Sequence, residues 1–264
     1  MIEISIVQFA PRLGEVDANI KTIERLLKPL KSQLIVLPEL ANSGYRFADV
    51  NEAKSASETV EESAFLAALK YLANEKDAYI VTGFCELDGN DLYNSSVLIG
   101  PNGVIGVYRK LHLFWDEKSI FKKGNMRLPV FDTSIGKVGM LVCFDWMFPE
   151  AWRSLALKGA QIIAHPSNLV LPYCQSVIPS CALVNRYFVA TSNRIGTEKD
   201  LTFTGQSILA SPTGETLLRA SDNNEEILTT RIDLDRANDK FITPRNDAFA
   251  DRRNDVYGDL NIKM

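Results

Sequence analysis

The run Leu34-Ile35-Val36-Leu37-Pro38-Glu39 sets four consecutive apolar residues directly before a proline and a carboxylate. A short, fully apolar run stopped by proline reads as a strand buried on both faces, the kind found at the centre of an α/β sheet. Upstream, Asp17 is placed to cap a helix whose stripe is Ile20, Ile23, Leu26, Leu27 and Leu30, and Ile2 to Phe9 alternates as a strand. Downstream, the pattern predicts a helix over Thr59 to Lys76, with Thr59 and Glu62 at capping-box spacing, and then a strand over Tyr79 to Phe84.

The alternation continues to the C-terminal region. Leu92 to Ile99 and Val104 to Tyr108 flank Gly100-Pro101-Asn102-Gly103, which predicts a hairpin. Val138 to Cys143 reads as another buried strand, and Pro149 opens a helix that runs to Lys158 before Gly159. Strands over Gln161 to Ala164 and Tyr187 to Ser192 enclose a helix around Ser180 to Asn185. A second hairpin turns about Pro212-Thr213-Gly214, between Gln206 to Ala210 and Glu215 to Arg219, and Glu226 to Ile232 is the last strand. Helices interspersed among so many strands predict a layered α/β fold. No linker or composition shift divides residues 1–264, so one domain is expected. Its polar tail from Asp235 has few apolar anchors and calls for a neighbouring subunit to pack on.

Composition narrows the function. The chain has 264 residues, 46% of them hydrophobic, and a net charge of -4, so no global basic field draws it to nucleic acid. Met1 to Ile6 lacks the cationic start and long apolar block of a secretory signal, and no apolar run approaches the roughly 18 residues of a membrane span. A soluble cytoplasmic protein is expected, without membrane partners. The four cysteines, Cys85, Cys143, Cys174 and Cys181, show no C-x-x-C spacing. With only His112 and His165 beside them, neither a disulfide framework nor a structural metal site is expected.

Three polar residues recur just beyond hydrophobic strands: Glu39, Lys110 and Cys143. In sheet-based α/β folds reactive groups converge at the carboxyl ends of strands. Each alone has an ordinary reading, as a solvated acid, a surface cation and a small buried hydrophobe. Together they have a chemical logic. A free thiol with pKa about 8.5 is mostly protonated at neutral pH, and a carboxylate can take its proton. An ammonium tolerates the thiolate and holds the oxyanion of a tetrahedral intermediate. Backbone N–H groups after Cys143, leading toward Pro149, are candidates for the second oxyanion donor.

The segments Leu37-Pro38-Glu39-Leu40, Tyr108-Arg109-Lys110-Leu111-His112-Leu113 and Val142-Cys143-Phe144-Asp145-Trp146-Met147-Phe148-Pro149-Glu150 resemble the three signature segments of the nitrilase superfamily of carbon–nitrogen hydrolases. Asn193-Arg194-Ile195-Gly196 and Gly205-Gln206-Ser207 to Pro212-Thr213-Gly214 fall where that family has comparable segments, so the similarity spans nearly the whole chain. The resemblance implies a four-layer αββα sandwich, with Glu39 as general base, Lys110 as oxyanion stabiliser and Cys143 as nucleophile. Glu117 matches a second family glutamate that positions substrate or the triad. A homodimer or larger assembly is implied too. Phe144-Asp145 after the cysteine looks like the amidase and carbamoyl-hydrolase branches, whereas true nitrilases usually carry Trp-Glu. The expected substrate is therefore a small non-peptide amide, with nitriles and carbamoyl amines as alternatives and no cofactor. A thiol-based redox sensor is the non-enzymatic alternative.

Tyr45, Trp115, Phe144, Trp146 and Asn168 are candidate pocket residues, although aromatics near a site are equally often core, and Asn168 equally often a turn residue. His112, between Leu111 and Leu113, reads as a structural histidine rather than a dyad partner of Cys143. His165 ranks below Glu39 as a base. No G-x-S-x-G elbow is present for a serine triad.

Overall fold

A computed structural model describes residues 1–257. The chain opens with β1 (Ile2–Gln8), α1 (Val16–Leu27), β2 (Leu34–Val36), α2 (Val50–Ser55) and α3 (Ala64–Lys76). Next come β3 (Tyr79–Asp88), β4 (Asp91–Gly100), β5 (Gly103–Arg109), α4 (Glu117–Ile120), β6 (Val130–Thr133) and β7 (Gly136–Met140). A 3-10 turn (Cys143–Met147) leads into α5 (Pro149–Leu157), β8 (Ile162–Ser167), α6 (Cys174–Asn185) and β9 (Phe188–Asn193). A small hairpin follows, β10 (Thr197–Glu198) and β11 (Leu201–Thr202), then β12 (Ile208–Ala210), β13 (Thr216–Arg219) and β14 (Glu226–Ile232). After a second 3-10 turn (Leu234–Asn238), a last hairpin pairs β15 (Phe241–Thr243) with β16 (Asn246–Asp247).

Two six-stranded sheets form, in the orders β14-β1-β2-β3-β4-β5 and β13-β12-β9-β8-β7-β6. The centre of each is parallel, β1-β2-β3 and β7-β8-β9, and parallel neighbours require crossovers, which α1, α3, α5 and α6 supply. Side-chain alternation assigns the layers. Ile4, Ile6, Leu34, Val36 and Val81 point into a cluster shared with Val138, Met140, Ile162 and Ala164 of the other sheet. The intervening Ile35, Leu37 and Ile80 pack under Ile23, Leu27, Phe65 and Leu69 of α1 and α3. Trp152 and Leu155 of α5 and Ile178 of α6 cover the second sheet, completing the four-layer αββα sandwich.

Several element ends differ from expectation. α1 begins at Val16, so Asp17 lies in its first turn, where its charge suits the positive helix end, and the entry is tied instead by Asn19 on both the N–H and C=O of Arg12. α3 begins at Ala64 with Ser63 as its cap, while Thr59 accepts from Glu62 N outside the helix. Between them α2, capped by Asp49, is too short to leave a periodic stripe. α6 starts at Cys174 and runs through Pro179, ahead of the helix expected around Ser180 to Asn185. Cys143 does not close a strand, because β7 ends at Met140.

The tail has anchors that its composition hides. Ala237 is buried, close behind the buried Leu234, and Phe249 lies beneath both the Arg153 guanidinium and the Lys240 ammonium. The predicted tail extends beyond this into residues 258–264, which lie outside the described residues. Among the described residues no helix is long and apolar enough to cross a membrane.

Candidate active site

Glu39 lies three residues past β2, on a segment that stays against β3. Leu37 N donates to Val81 O (2.8 Å), Gly83 N to Pro38 O (3.0 Å) and Ala41 N to Gly83 O (3.2 Å). The approach is so close that a Cβ on Gly83 would sit 2.3 Å from Glu39 Cα, so only glycine fits there. Glu39 is fully buried. Its Oε1 accepts from Lys110 Nζ (2.7 Å) and Asn94 Nδ2 (2.7 Å), whereas Oε2 has no hydrogen-bond partner among the described residues.

Lys110 follows the end of β5, and its N–H donates to Asn94 O (2.8 Å), so one asparagine fixes both the lysine backbone and the Glu39 carboxylate. The buried Lys110 ammonium bridges two carboxylates, with Nζ 2.7 Å from Glu39 Oε1 and 2.7 Å from Glu117 Oε1. Burial works against this cation, but Glu117, Glu39 and Cys143 outweigh it and hold its pKa above the ordinary lysine value. Glu117, at the start of α4, also accepts from Tyr45 OH (2.7 Å) and Phe114 N (3.1 Å). Burial, reinforced by the charge of Glu39 and opposed by Lys110, raises the Glu117 carboxyl to about 7.

Cys143 adopts a left-handed backbone, with φ 43°. For a residue with a Cβ this costs about 1–2 kcal/mol, so its surroundings must impose it. The fully buried Asp145 does much of this. Its Oδ2 accepts from Val142 N (2.9 Å) and Tyr108 OH (2.8 Å), and its Oδ1 from His112 N (3.2 Å). The His112 ring also contacts Oδ1 through Nδ1 (2.7 Å) and stacks on Phe148 at 3.5 Å, the structural role expected of it. On the other side His165 Nε2 donates to the Cys143 carbonyl (2.9 Å), which leaves Nδ1 to accept from Thr191 Oγ1 (3.0 Å). Burial lowers His165 to about 4, so it is a neutral clamp at physiological pH. The Cys143 thiol is itself pushed well above its ordinary pKa, by burial first and by Glu39 second, against the opposing pull of Lys110 and the Asn168 N–H.

The structure thus brings Glu39, Lys110, Glu117 and Cys143 together. A cleft of about 300 Å³, counting its open mouth, is lined by Cys143, Phe144, Trp146, Asn168, Phe114 and the chain from Leu169 to Leu171. Of the candidate pocket residues, Phe144, Trp146 and Asn168 line it. Tyr45 is buried behind it as a partner of Glu117. Trp115 lies in an adjoining pocket with Tyr45 and Glu117, 55% exposed, with the Arg46 guanidinium 5.6 Å from its ring centroid. The sequence missed Asn94, Tyr108 and Asp145 as parts of the site. Asp145 stands two residues from the cysteine, but its partners at positions 108 and 112 are beyond any local pattern.

The chain belongs to the carbon-nitrogen hydrolase family, whose family model matches residues 3–239. It is 44% identical over 249 residues to a protein of Pyrococcus abyssi named nitrilase, covering 93% of this chain and 95% of that one. It is 30% identical to the N-carbamoylputrescine amidase of Solanum lycopersicum, covering 91% and 89%. Its fold superposes on Saccharomyces cerevisiae Nit3, a member of branch 10 of the nitrilase superfamily, with a TM-score of 0.81 at 28% identity, covering 90% and 92%. The protein is a hydrolase of carbon–nitrogen bonds other than peptide bonds.

The buried carboxylates generate a direct expectation. With side-chain-labelled glutamate, carbon NMR should show one carboxyl titrating near pH 7, acid below and carboxylate above, and the resonance should vanish in Glu117→Gln. A Glu117 signal that has finished titrating by pH 5 would contradict the electrostatics described above.

Proposed function

We propose that this chain hydrolyses small carboxamides to a carboxylic acid and ammonia through a thioester on Cys143. Glu39 acts as general base, Lys110 as the cation at the oxyanion, and Glu117 holds Lys110. The observation that carries this reading is Glu39 Oε2, a buried carboxylate oxygen with no partner among the described residues beside a thiol whose pKa is raised. Such a thiol is no preformed thiolate. Its proton has to leave as sulfur attacks, which calls for a fixed general base. A redox sensor needs an accessible, low-pKa thiol, and Cys143 is buried with the opposite shift.

In this mechanism the Cys143 proton passes to Glu39 Oε2 as the S–C bond forms and the carbonyl π pair moves onto oxygen. Lys110 has three N–H bonds and spends two on Glu39 and Glu117, so its third is available to the oxyanion. The first free N–H of the turn after Cys143 is the second donor. The pair returns, the C–N bond breaks, and the nitrogen leaves as ammonia with the proton from Glu39. Water then loses a proton to Glu39 and attacks the thioester, and the departing sulfur regains that proton.

Among the described residues the cleft walls are almost entirely apolar and include no charged side chain. A charged acyl tail would be desolvated there without a counter-ion, at a cost of roughly several kcal/mol. Neutral aliphatic or aromatic amides are therefore the favoured class. A second reading, nitrile hydrolysis, is favoured by the name of the Pyrococcus relative at 44% identity. Phe144-Asp145 after the cysteine weighs against it.

Leu157 on α5, Leu183 and Val184 on α6, and Phe241 and Ile242 in the tail are exposed apolar residues on neighbouring elements, joined where Arg153 donates to Val184 O (2.7 Å). They support association into a homodimer, with the tail packing on the partner subunit.

Four outcomes are expected. Glu39→Gln keeps shape but cannot take the proton, so kcat should fall by about 100- to 10,000-fold. Acid quenching with a slow amide should add an acyl mass at Cys143 that Cys143→Ala lacks, and normal turnover in either variant would overturn the triad. In a screen scoring ammonia and carbon dioxide together, neutral primary amides should exceed matched nitriles and carbamoyl amines with an ammonium tail, and carbon dioxide release would favour the carbamoyl reading. Sedimentation at micromolar concentration should show a dimer or larger species, and a clean monomer would remove the assembly claim.

A further inference from the structure

Asn168 follows β8 directly and is buried on the cleft wall beside Cys143. Its backbone is clamped, since Leu169 N donates to Asn193 Oδ1 (2.8 Å) and Thr204 N to Leu169 O (2.9 Å). Its side chain donates through Nδ2 to the main-chain carbonyl of Glu39 (2.9 Å). A carbonyl only accepts, so this bond settles which end of the amide is nitrogen. The other end, Oδ1, is a buried acceptor that no described residue meets. Asn168 lines the cleft together with Cys143, and its main-chain N–H opposes the rise of the thiol pKa. One residue therefore shares the cleft wall with the nucleophile, holds the segment bearing the base, and keeps a buried acceptor unused among the described residues.

We propose that Asn168 Oδ1 accepts an N–H from the scissile carboxamide and so selects carboxamides over esters and nitriles of the same acyl group. The proposal rests on the amide-hydrolase reading above and names the residue that recognises the leaving nitrogen. A primary amide offers an N–H to this oxygen. An ester presents lone pairs to it, and a nitrile presents no hydrogen at all. Holding one N–H also turns the nitrogen of the tetrahedral intermediate toward Glu39, from which it takes its proton on leaving. Because Nδ2 is bonded to Glu39 O, acceptor and base keep a fixed spacing.

The test compares a primary amide, the nitrile and the p-nitrophenyl ester of one neutral acyl chain, in wild type, Asn168→Leu and Asn168→Asp, with circular dichroism to check folding. Both variants lose the bond to Glu39 O, so a general loss of rate is common to all substrates, and the amide-to-ester ratio of kcat/KM is the readout. Asn168→Leu should lower that ratio by about 10- to 100-fold, as expected when a buried polar contact to substrate is removed. Asn168→Asp keeps an acceptor and should hold the ratio within about threefold of wild type. Equal losses on amide and ester in Asn168→Leu would overturn the proposal and leave Asn168 as a positioning residue for Glu39. A wild type that turns over the nitrile but no amide would instead sink the underlying amide reading.

Discussion

The site rests on one buried ammonium shared by two buried carboxylates. Lys110 Nζ stands 2.7 Å from both Glu39 and Glu117 and is cut off from water. Ions in such a place are tolerated only when paired and hydrogen-bonded, and removing one partner leaves another uncompensated. The balance is one cation to two anions, and the chain meets the excess in two ways. Glu117 is raised to about 7, and the Cys143 thiol is kept protonated at rest. The resting site thus has the proton on sulfur and, nearby, a carboxylate oxygen with no partner among the described residues.

The sandwich makes this cluster by meeting at a seam. Glu39 and Lys110 follow strands of the first sheet, and Cys143 follows β7 of the second. Hydrogen bonds cross between them, among them Tyr108 OH to Asp145 (2.8 Å) and Asn168 Nδ2 to the Glu39 carbonyl (2.9 Å). Each joins residues of opposite sheets, so the apolar packing of Ile4, Ile6 and Val36 against Met140 and Ala164 sets the spacing of the chemistry. Behind Glu117 a further chain runs outward. Glu198 accepts from the main-chain N–H groups of Tyr45 and Arg46 (both 2.9 Å) and pairs with the buried Arg194, which holds Tyr45 where its hydroxyl meets Glu117.

Local chemistry made much of this legible in one dimension. The apolar run before Pro38, the Gly100 to Gly103 turn and the Pro149-to-Gly159 helix each carry their signal within a few residues, and each appears as expected. Helix starts were harder, because caps compete: Ser63 rather than Thr59 satisfies the first turn of α3, and nothing within the sequence ranks the two. Glu39, Lys110 and Cys143 were nameable as candidates because signature segments surround them, and Glu117 because the family that the chain resembles carries a second glutamate downstream of the lysine.

What the sequence determined by itself was therefore the layered α/β pattern and the residue types available for acyl transfer, since strand period, turn residues and short motifs are local properties. The tertiary structure alone decided how those groups are placed. It set Cys143 on a left-handed turn instead of a strand end, turned Tyr45 toward Glu117 and moved Trp115 into a neighbouring pocket. Among the described residues it also left Glu39 Oε2 and Asn168 Oδ1 without partners. A hydrogen bond between residues 39 and 168, or 108 and 145, depends on distances that arise only when the two sheets close, and no local pattern encodes which oxygen is left over.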